Sequence, residues 1–192
     1  MTDRVAVITG GSRGIGAAVA EHLARDGFDI AFSYARSEVQ ANELCRKIEQ
    51  IGRRAKAIQA DGATVEGNRK IIAEAVSHFG RIDALVCNAG AYPYTTIDQA
   101  SIEDIEKVLN LNVLGVMIET REALQHMNSG GRIILMWSAF AGPLPFPVLS
   151  LSGATTAALR CFAQCAALDL GQTRITIYVL EPLPFATHTT PL

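Results

Sequence analysis

Short runs of β-branched and apolar residues alternate along the chain with segments whose apolar residues recur every three or four positions. Runs of the first kind are typical of buried strands, and segments of the second kind are typical of helices that cover a sheet. The pattern predicts six strands: Val5–Thr9, Asp29–Ser33, Arg54–Gln59, Ile82–Cys87, Arg132–Trp137 and Ile175–Leu180. Because strands and helices alternate, we expect a doubly wound α/β fold of the Rossmann type, a parallel sheet covered on both faces, in one domain over residues 1–192.

Five helices are predicted between the strands. They run over about Ile15–Asp26, onward from an N-cap at Ser37, over about Glu66–Phe79, onward from Ser101 and over about Ser152–Leu170. Ser37 with Gln40 three residues later forms the pattern of a capping box, and Ser101 is followed in the same way by Asp104. The residues of the fourth helix that we expect to face inward are Ile105, Val108, Leu109 and Asn112.

The charge balance excludes some classes of protein. The 192 residues carry 17 Lys and Arg against 19 Asp and Glu, so no basic excess points to nucleic acid. The apolar fraction of 49% is too high for a disordered chain. A strand begins almost at the first residue, so we expect no leader peptide and a cytoplasmic protein with reduced thiols. The cysteines are Cys45, Cys87, Cys161 and Cys165, the last two on one helix face as core or interface residues.

A long uncharged stretch runs from Ile133 to Leu159. It is long enough to cross a bilayer, but Pro143, Pro145 and Pro147 interrupt it in the middle. We therefore expect no membrane-spanning helix and no membrane partner.

A glycine-rich run follows the first predicted strand directly and leads into the first predicted helix. Glycines let the backbone approach a pyrophosphate, and a helix start offers free N–H groups and the positive end of its dipole. A plain tight turn uses the same residues, but the position between strand and helix favours dinucleotide binding. The loop residues that we expect to bind the dinucleotide are Gly10, Ser12, Arg13, Gly14, Ile15 and Gly16.

The end of the second predicted strand indicates which dinucleotide binds. An NAD site usually holds a carboxylate here for the ribose 2′-hydroxyl, yet no acidic residue occurs before Glu38. Arg36 and Arg13 could flank a 2′-phosphate instead, with Ser37 as a further donor. The alternative is that both arginines are simply solvated. The sequence favours NADP(H) over NAD(H).

Several segments, in order along the chain, resemble motifs of the short-chain dehydrogenase/reductase family. Thr9–Gly16 resembles its TGxxxGxG loop, Asn88–Gly90 its NAG turn, and Gly131–Ser138 the strand that ends in its catalytic serine. The resemblance runs from Val5 to Thr187 and is strongest to the NADPH-dependent ketoacyl reductase branch. It implies a small-molecule carbonyl substrate. The further cofactor-binding residues that it implies are Asp61, Gly62, Asn88, Ala89, Gly90 and Thr187, and the catalytic residues are Ser138 and Asn112, the latter holding a water in a proton relay.

The chain departs from this family at the YxxxK motif. Counting thirteen residues from Ser138 places Leu151 in the tyrosine slot and Thr155 in the lysine slot. No tyrosine occurs between Tyr94 and Tyr178, so no other alignment restores the motif. The family's tyrosine protonates the developing alkoxide and its lysine lowers the pKa of that phenol, so we expect impaired carbonyl and hydroxyl chemistry.

Three residues could act as a surrogate proton donor. Tyr92 and Tyr94 follow the NAG-like turn, and His188 lies beside Thr187. A phenol without a neighbouring lysine should keep a pKa near ~10, still adequate for a donor. The alternatives are an aromatic pocket wall or surface residue for the tyrosines and a flexible tail residue for the histidine.

The chain ends at Leu192, where relatives continue through a substrate-covering segment and a seventh strand. We expect a shortened domain whose sixth strand and uncharged stretch need a partner. The resemblance implies a homo- or hetero-oligomer, such as a dimer, through the fourth and fifth predicted helices. Three hypotheses stay open: an unorthodox reductase that relies on Ser138 and Asn112, a non-catalytic nucleotide-binding subunit, and a degenerate chain with neither role.

Overall fold

The structure, a computed structural model, describes residues 4–137 and 147–182. Its sheet has six parallel strands in the order β3-β2-β1-β4-β5-β6. The strands are β1 (Arg4–Ile8), β2 (Phe28–Tyr34), β3 (Ala55–Gln59), β4 (Ile82–Cys87), β5 (Met127–Met136) and β6 (Thr176–Leu180). The predicted Rossmann-type sheet of six strands is therefore confirmed.

Six α-helices and one π-helical segment connect the strands in this part of the chain. The α-helices are α1 (Gly14–Arg25), α2 (Glu38–Gln50), α3 (Val65–Phe79), α4 (Ile102–Leu109), α5 (Val116–Leu124) and α6 (Ser150–Asp169). The π-helical segment, Asn110–Gly115, joins α4 to α5. None of these helices is long and apolar enough to cross a membrane.

The strand order places the candidate site. β1 pairs with β2 on one side and with β4 on the other, so the chain reverses its direction of winding at β1. In open parallel sheets, the loops that leave the carboxyl ends of two such strands diverge and form a crevice between them. Here those loops begin at Thr9, after β1, and at Asn88, after β4.

Two hydrophobic cores cover the two faces of the sheet. Within β1, Ala6 and Ile8 join the core under α1 and α2, and Val7 joins the core under α3, α5 and α6. This alternation follows from the two-residue period of a strand, and it explains why the four buried residues of β1, from Val5 to Ile8, are all apolar. The sheet is therefore anchored on both faces, which holds its carboxyl edge in place.

The fourth predicted helix is not one continuous α-helix. Across the π-helical turn at Asn110–Gly115, the buried face is formed by residues four apart, namely Val108, Asn112 and Val116. Leu109 was expected to face inward, but it lies at the edge of this line and is 47% exposed. That expectation was wrong because the wide turn begins directly after Leu109 and redirects the buried face. Such turns are often found at functional sites.

Two predicted details of the helix starts have different outcomes. Ser101 caps α4, because its Oγ accepts a hydrogen bond from the backbone N–H of Asp104 at 3.0 Å. Ser37 is the N-cap residue of α2, but its side chain makes no capping hydrogen bond. The capping box predicted at Ser37 is therefore wrong: its ψ of 60° differs from the extended backbone of Ser101, whose ψ is 155°.

Two further expectations need correction. β5 begins at Met127, five residues before the predicted start, because Met127 pairs with Ile82 before an irregularity in the ladder. The polar residues between Met127 and Arg132 look like a turn in the sequence. Cys161 and Cys165 are exposed because they lie on the outer side of α6. The expectation that they could be core residues was therefore wrong. All four cysteines are free thiols.

Candidate functional site

The loop after β1 lies against the end of β2. The backbone N–H of Gly10 donates to Ser33 Oγ at 3.1 Å, and the N–H of Gly11 donates to the Ser33 carbonyl at 2.9 Å. Ser12 is buried, whereas Arg13 and Gly14 are exposed. The loop therefore has a fixed base and an open rim.

The first turn of α1 can accept an anion. Arg13 occupies the N-cap position without a capping side-chain bond, and the first turn holds no acidic residue. The N–H groups of a helix start need partners, so this end of α1 attracts negative charge. Gly14 has a φ of 58°, a left-handed conformation that other residues rarely adopt. A phosphate is the kind of group that such a helix start accommodates.

Gly16 permits the close approach of the two loops. A Cβ atom added at Gly16 would lie 2.5 Å from the Gly10 carbonyl oxygen and 2.6 Å from Asn88 Nδ2. No side chain fits in that space. The start of α1 therefore packs directly against the backbone of the glycine loop and the side chain of Asn88 in the turn after β4.

Asn88 joins the loop after β1 to the turn after β4. Its side-chain Nδ2 donates to the carbonyl oxygens of Thr9 and Gly10, both at 3.1 Å. The backbone N–H groups of Asn88 and Ala89 both donate to the Thr9 hydroxyl, at 3.1 and 3.2 Å. We call this set of bonds among Thr9, Gly10, Asn88 and Ala89 the loop clasp.

The remaining predicted cofactor residues lie at the ends of β2 and β3. Arg36 is exposed and Ser37 is half-buried after β2. After β3, Asp61 Oδ1 accepts a hydrogen bond from the N–H of Ala63 at 3.0 Å, which holds the exposed Asp61 in a turn. The next residue, Gly62, is held by its carbonyl, which accepts from Asn68 Nδ2 at 2.9 Å. Both strand ends open onto the same carboxyl edge of the sheet.

Asn112 is fully buried in the π-helical turn. Its Oδ1 accepts from the Ala91 N–H and its Nδ2 donates to the Ala91 carbonyl, both at 2.9 Å. The side chain thus fixes the segment that follows Gly90. The side-chain amide of Asn112 is thus already bonded to the backbone of Ala91. That Asn112 also holds a water of the proton relay stays a prediction.

An aromatic pair lies beside this turn. The ring centroids of Tyr92 and Trp137 are 6.0 Å apart. A Cβ atom added at Gly90 would lie 3.2 Å from the Trp137 ring, so Gly90 lets the indole approach the backbone. Burial, together with neighbouring Tyr94, raises the pKa of Tyr92 to about 12. The expectation of a value near ten for Tyr92 was therefore wrong, and its phenol is a weaker acid than expected. Tyr94 is 65% exposed.

The first turns of α6 carry a leucine and a threonine where the resemblance predicts a phenol and an ammonium. Leu151 is half-buried and Thr155 is buried. The hydroxyls of Thr155 and Thr156 both donate to the Ser152 carbonyl, at 3.0 and 2.8 Å. Shifting the alignment by one residue, to Ser152 and Thr156, gives two hydroxyls. Neither alignment supplies an acid of neutral pH or a fixed positive charge.

Three predicted residues, Ser138, Thr187 and His188, lie outside the described residues. Within residues 4–137 and 147–182, no group of three or more His, Cys, Asp or Glu side chains is placed to hold a metal ion.

Two buried polar residues were missed by the sequence analysis. The Trp137 indole nitrogen has no hydrogen-bond partner in the described part of the chain, and Glu119 is 2% exposed. Glu119 could have been found, because Val116, Glu119 and Ala123 recur at the spacing of one buried helix face. Trp137 carried no comparable signal.

Comparison with known proteins agrees with this geometry. The short chain dehydrogenase family model matches residues 4–191. A hydroxynaphthalene reductase from Aspergillus fumigatus is 40% identical over 95% of this chain, and a short chain dehydrogenase/reductase from Aspergillus aculeatus is 37% identical over 95%. The chain spans 66% and 69% of those two relatives, about two thirds of their length.

Solved structures of similar proteins match almost the whole chain. A short chain dehydrogenase from Burkholderia cenocepacia in complex with NADP has a TM-score of 0.96 and 40% identity, covering 100% of this chain and 78% of that one. A blue fluorescent protein from a metagenomic library in complex with NADPH has a TM-score of 0.95 and 38% identity, covering 98% and 77%.

Proposed function

The chain belongs to the short chain dehydrogenase family, and from that premise we propose two things about its function. It binds NADP(H) at the carboxyl edge of the sheet, and its carbonyl and hydroxyl redox chemistry is impaired. The proposed binding of NADP(H) rests on the glycine loop and on the start of α1, which has no capping side chain. The proposed impairment rests on Leu151 and Thr155 in α6.

Cofactor binding is supported by the shape and polarity of the site. The pyrophosphate would lie on the first turn of α1, at Gly14, Ile15 and Gly16, with Gly10 and Ser12 at the base of the loop. Asp61 and Gly62 would lie at the adenine, Asn88, Ala89 and Gly90 would support the adenosine half, and Thr187 would contact the nicotinamide amide.

The choice of NADP(H) over NAD(H) rests on Arg36 and Arg13. Both side chains are exposed, and no carboxylate follows β2 before Glu38 to select a free 2′-hydroxyl. A guanidinium is well suited to a phosphate because it forms paired, charge-assisted hydrogen bonds. The printed cofactors of the two solved structures, NADP and NADPH, are consistent with this choice.

The proposed impairment concerns the proton, not the hydride. When bound, the reduced nicotinamide supplies a hydride to a carbonyl carbon. The Ser138 hydroxyl would donate a hydrogen bond to the carbonyl oxygen. Asn112 fixes the backbone of Ala91 through two hydrogen bonds. Leu151 has no proton to give, and the Thr155 hydroxyl is already donated to a helix carbonyl. Loss of a general acid typically slows a reaction by about 10²–10⁴-fold.

Tyr92 is the described side chain best placed to act as a surrogate donor. It follows the turn at Gly90 and is 38% exposed. Its pKa of about 12 makes proton transfer to an alkoxide slower than from an activated phenol, so it offsets only part of the loss.

A non-catalytic subunit that pairs with a second chain of this family is the other candidate function. The observation that favours it is a set of exposed apolar side chains on and beside α4 and α6. Leu168 is 83% exposed, Ile102 is 71% exposed, Leu109 is 47% exposed and Leu114 is 44% exposed. Together these side chains would form the partner surface, since large contiguous apolar patches usually mark such surfaces.

Fluorescence titration of the purified protein with NADPH and with NADH tests cofactor binding. We expect saturable binding of NADPH and binding of NADH that is about tenfold weaker. Arg36→Ala should weaken NADPH binding by about tenfold and leave NADH binding unchanged. Arg25→Ala, at the far end of α1, is the matched control and should bind like the wild type. Equal affinity of the wild type for both dinucleotides would refute the proposed preference.

A further inference from the structure

Arg160, on α6, and Glu181, directly after β6, are two isolated charges in the last third of the chain. Arg160 is the only Asp, Glu, Lys or Arg between Arg132 and Asp169, and Glu181 is the only such residue after Arg174. The fold brings the two side chains together, although 21 positions separate them along the sequence. Two lone charges of opposite sign therefore meet in an otherwise uncharged part of the sequence.

The two side chains form a forked ion pair. Arg160 Nε donates to Glu181 Oε1 at 3.0 Å, and Arg160 Nη2 donates to Oε1 and to Oε2, both at 2.7 Å. One planar guanidinium thus holds both carboxylate oxygens, which fixes the orientation of each group. The pair of Lys56 and Glu74 is looser, with 3.7 Å between Nζ and Oε2. Surface ion pairs contribute little to stability unless their geometry is of the forked kind.

The ion pair ties α6 to the carboxyl end of β6. The side chain of Arg160 is 45% exposed and that of Glu181 is 26% exposed. On the other side of the strand end, the backbone N–H of Trp137 donates to the Leu180 carbonyl at 2.8 Å, directly after the paired positions Met136 and Leu180. We call the ion pair and this hydrogen bond the β6 anchor. The end of β6 is thereby held both by β5 and by α6.

The β6 anchor directly precedes two residues that we expect at the nicotinamide. Ser138 is the residue after Trp137, and Thr187 follows Glu181 by six positions. The ring of Pro182, next after Glu181, fixes its own φ, so the backbone direction set at Glu181 is carried through Pro182. Open parallel sheets bind their ligands beyond the carboxyl ends of the strands. The orientation of Glu181 therefore bears on how the chain leaves β6 toward the ligand.

We propose that Arg160 and Glu181 are positioning residues for the nicotinamide half of the dinucleotide: their ion pair fixes the end of β6, from which the chain leads to Thr187. This inference rests on the proposed binding of NADP(H). Neither side chain contacts the cofactor, and each acts through the backbone that follows β6. Loss of either charge should weaken the hold on the nicotinamide. The adenosine half, which binds at the loops after β1 to β4, should be held as before.

Calorimetric titration with NADPH and with 2′-phospho-ADP-ribose, which lacks the nicotinamide, tests this role. Arg160→Ala and Glu181→Ala should each weaken NADPH binding by about fivefold and leave binding of the nicotinamide-free ligand unchanged. The double variant should lose no more than either single variant, because both remove the same ion pair. A simple charge effect would act differently: because NADPH is an anion, Arg160→Ala would weaken its binding and Glu181→Ala would strengthen it.

Arg25→Ala is the matched control, because it breaks an exposed ion pair within α1, with Glu21, and should bind both ligands like the wild type. Unchanged NADPH binding in the two alanine variants, equal losses for both ligands, or opposite effects of the two substitutions would overturn the positioning role. A wild type that binds neither ligand would instead refute the proposed function itself.

Hydrogen exchange of the free protein tests the β6 anchor without any cofactor. The amide of Trp137, which donates to the Leu180 carbonyl, should exchange about fivefold faster in Arg160→Ala and in Glu181→Ala than in the wild type. It should keep its protection in Arg25→Ala, and the melting temperature shows that each variant is folded. Unchanged exchange of Trp137 in both variants would show that the ion pair does not fix the end of β6, and the proposal would fall.

Discussion

Some residues at the carboxyl edge of the sheet hold two loops together, and Thr9 is the clearest example. Its hydroxyl accepts from two consecutive amides, and its carbonyl accepts from Asn88 Nδ2. The glycine loop was found from its position between the first strand and the first helix, and the turn at Asn88 was found from its resemblance to the family's NAG turn. Glu119 was missed because an acid in a helix that also carries Arg121 and Glu122 looks like a surface residue until its buried face is known.

Glu119 makes the stability of the fold depend on pH. Its pKa in the folded protein is raised to about 7, above the usual value near 4.5, so the folded state holds this proton more tightly than the unfolded state. The stabilising contribution is complete below pH 4.5 and is lost as the pH rises to about 7. The loss amounts to about 3 kcal/mol.

Urea unfolding at pH 5 and pH 8 measures this effect. Relative to Glu119→Gln, the wild type should be less stable at pH 8 than at pH 5 by about 3 kcal/mol. The matched variant Glu122→Gln should show no such change. A constant difference between wild type and Glu119→Gln at both pH values would contradict the account.

At the scale of elements, the sequence predicted correctly which segments become strands and helices. It predicted less well at which residue, and with which cap, each of them begins. The central strands β1 and β4 are mainly apolar, since both of their faces are covered, and this signal survives without tertiary information. The π-helical turn at Asn110–Gly115 carries no pattern of its own. It places Asn112 on Ala91, a contact that only the folded chain reveals. Likewise, the capping-box pattern in the sequence did not predict the backbone geometry at Ser37, where the side chain makes no capping bond.

The two serine caps provide a matched pair of substitutions. Ser101→Ala removes the hydrogen bond to the Asp104 N–H, so it should lower the free energy of unfolding by about 1 kcal/mol. Ser37→Ala removes no capping bond and should change it by less than about 0.5 kcal/mol. Chemical unfolding of both variants measures the difference. Equal losses would show that the cap at Ser101 does not stabilise α4.

At the scale of the whole molecule, the sheet gathers the carboxyl ends of β1, β2, β3 and β4 along one edge. Motifs that are far apart in the sequence therefore lie close together in the structure. The alternation of strands and helices along the chain was enough to indicate this fold. The exposed apolar residues on α6 were not predicted, because helix periodicity does not say which partner a face meets. Leu168 is the most exposed of these large side chains.

We predict that the protein associates in solution through those exposed side chains. We expect light scattering to show a species larger than one chain, and Leu168→Asp should shift it toward the monomer, because a charge there opposes burial. Glu103→Asp, a conservative change on exposed α4, is the control. A wild-type protein that is monomeric at high concentration would contradict the proposed partner surface.

NADPH oxidation by the purified wild type, measured at saturating cofactor, tests the central claim most directly. The assay uses a panel of ketones and quinones that includes hydroxylated naphthalenes. We expect bound NADPH to be oxidised about 10²–10⁴-fold more slowly than by a relative that carries the tyrosine and lysine of the YxxxK motif. Rapid turnover of any of these compounds, matching such a relative, would contradict the account.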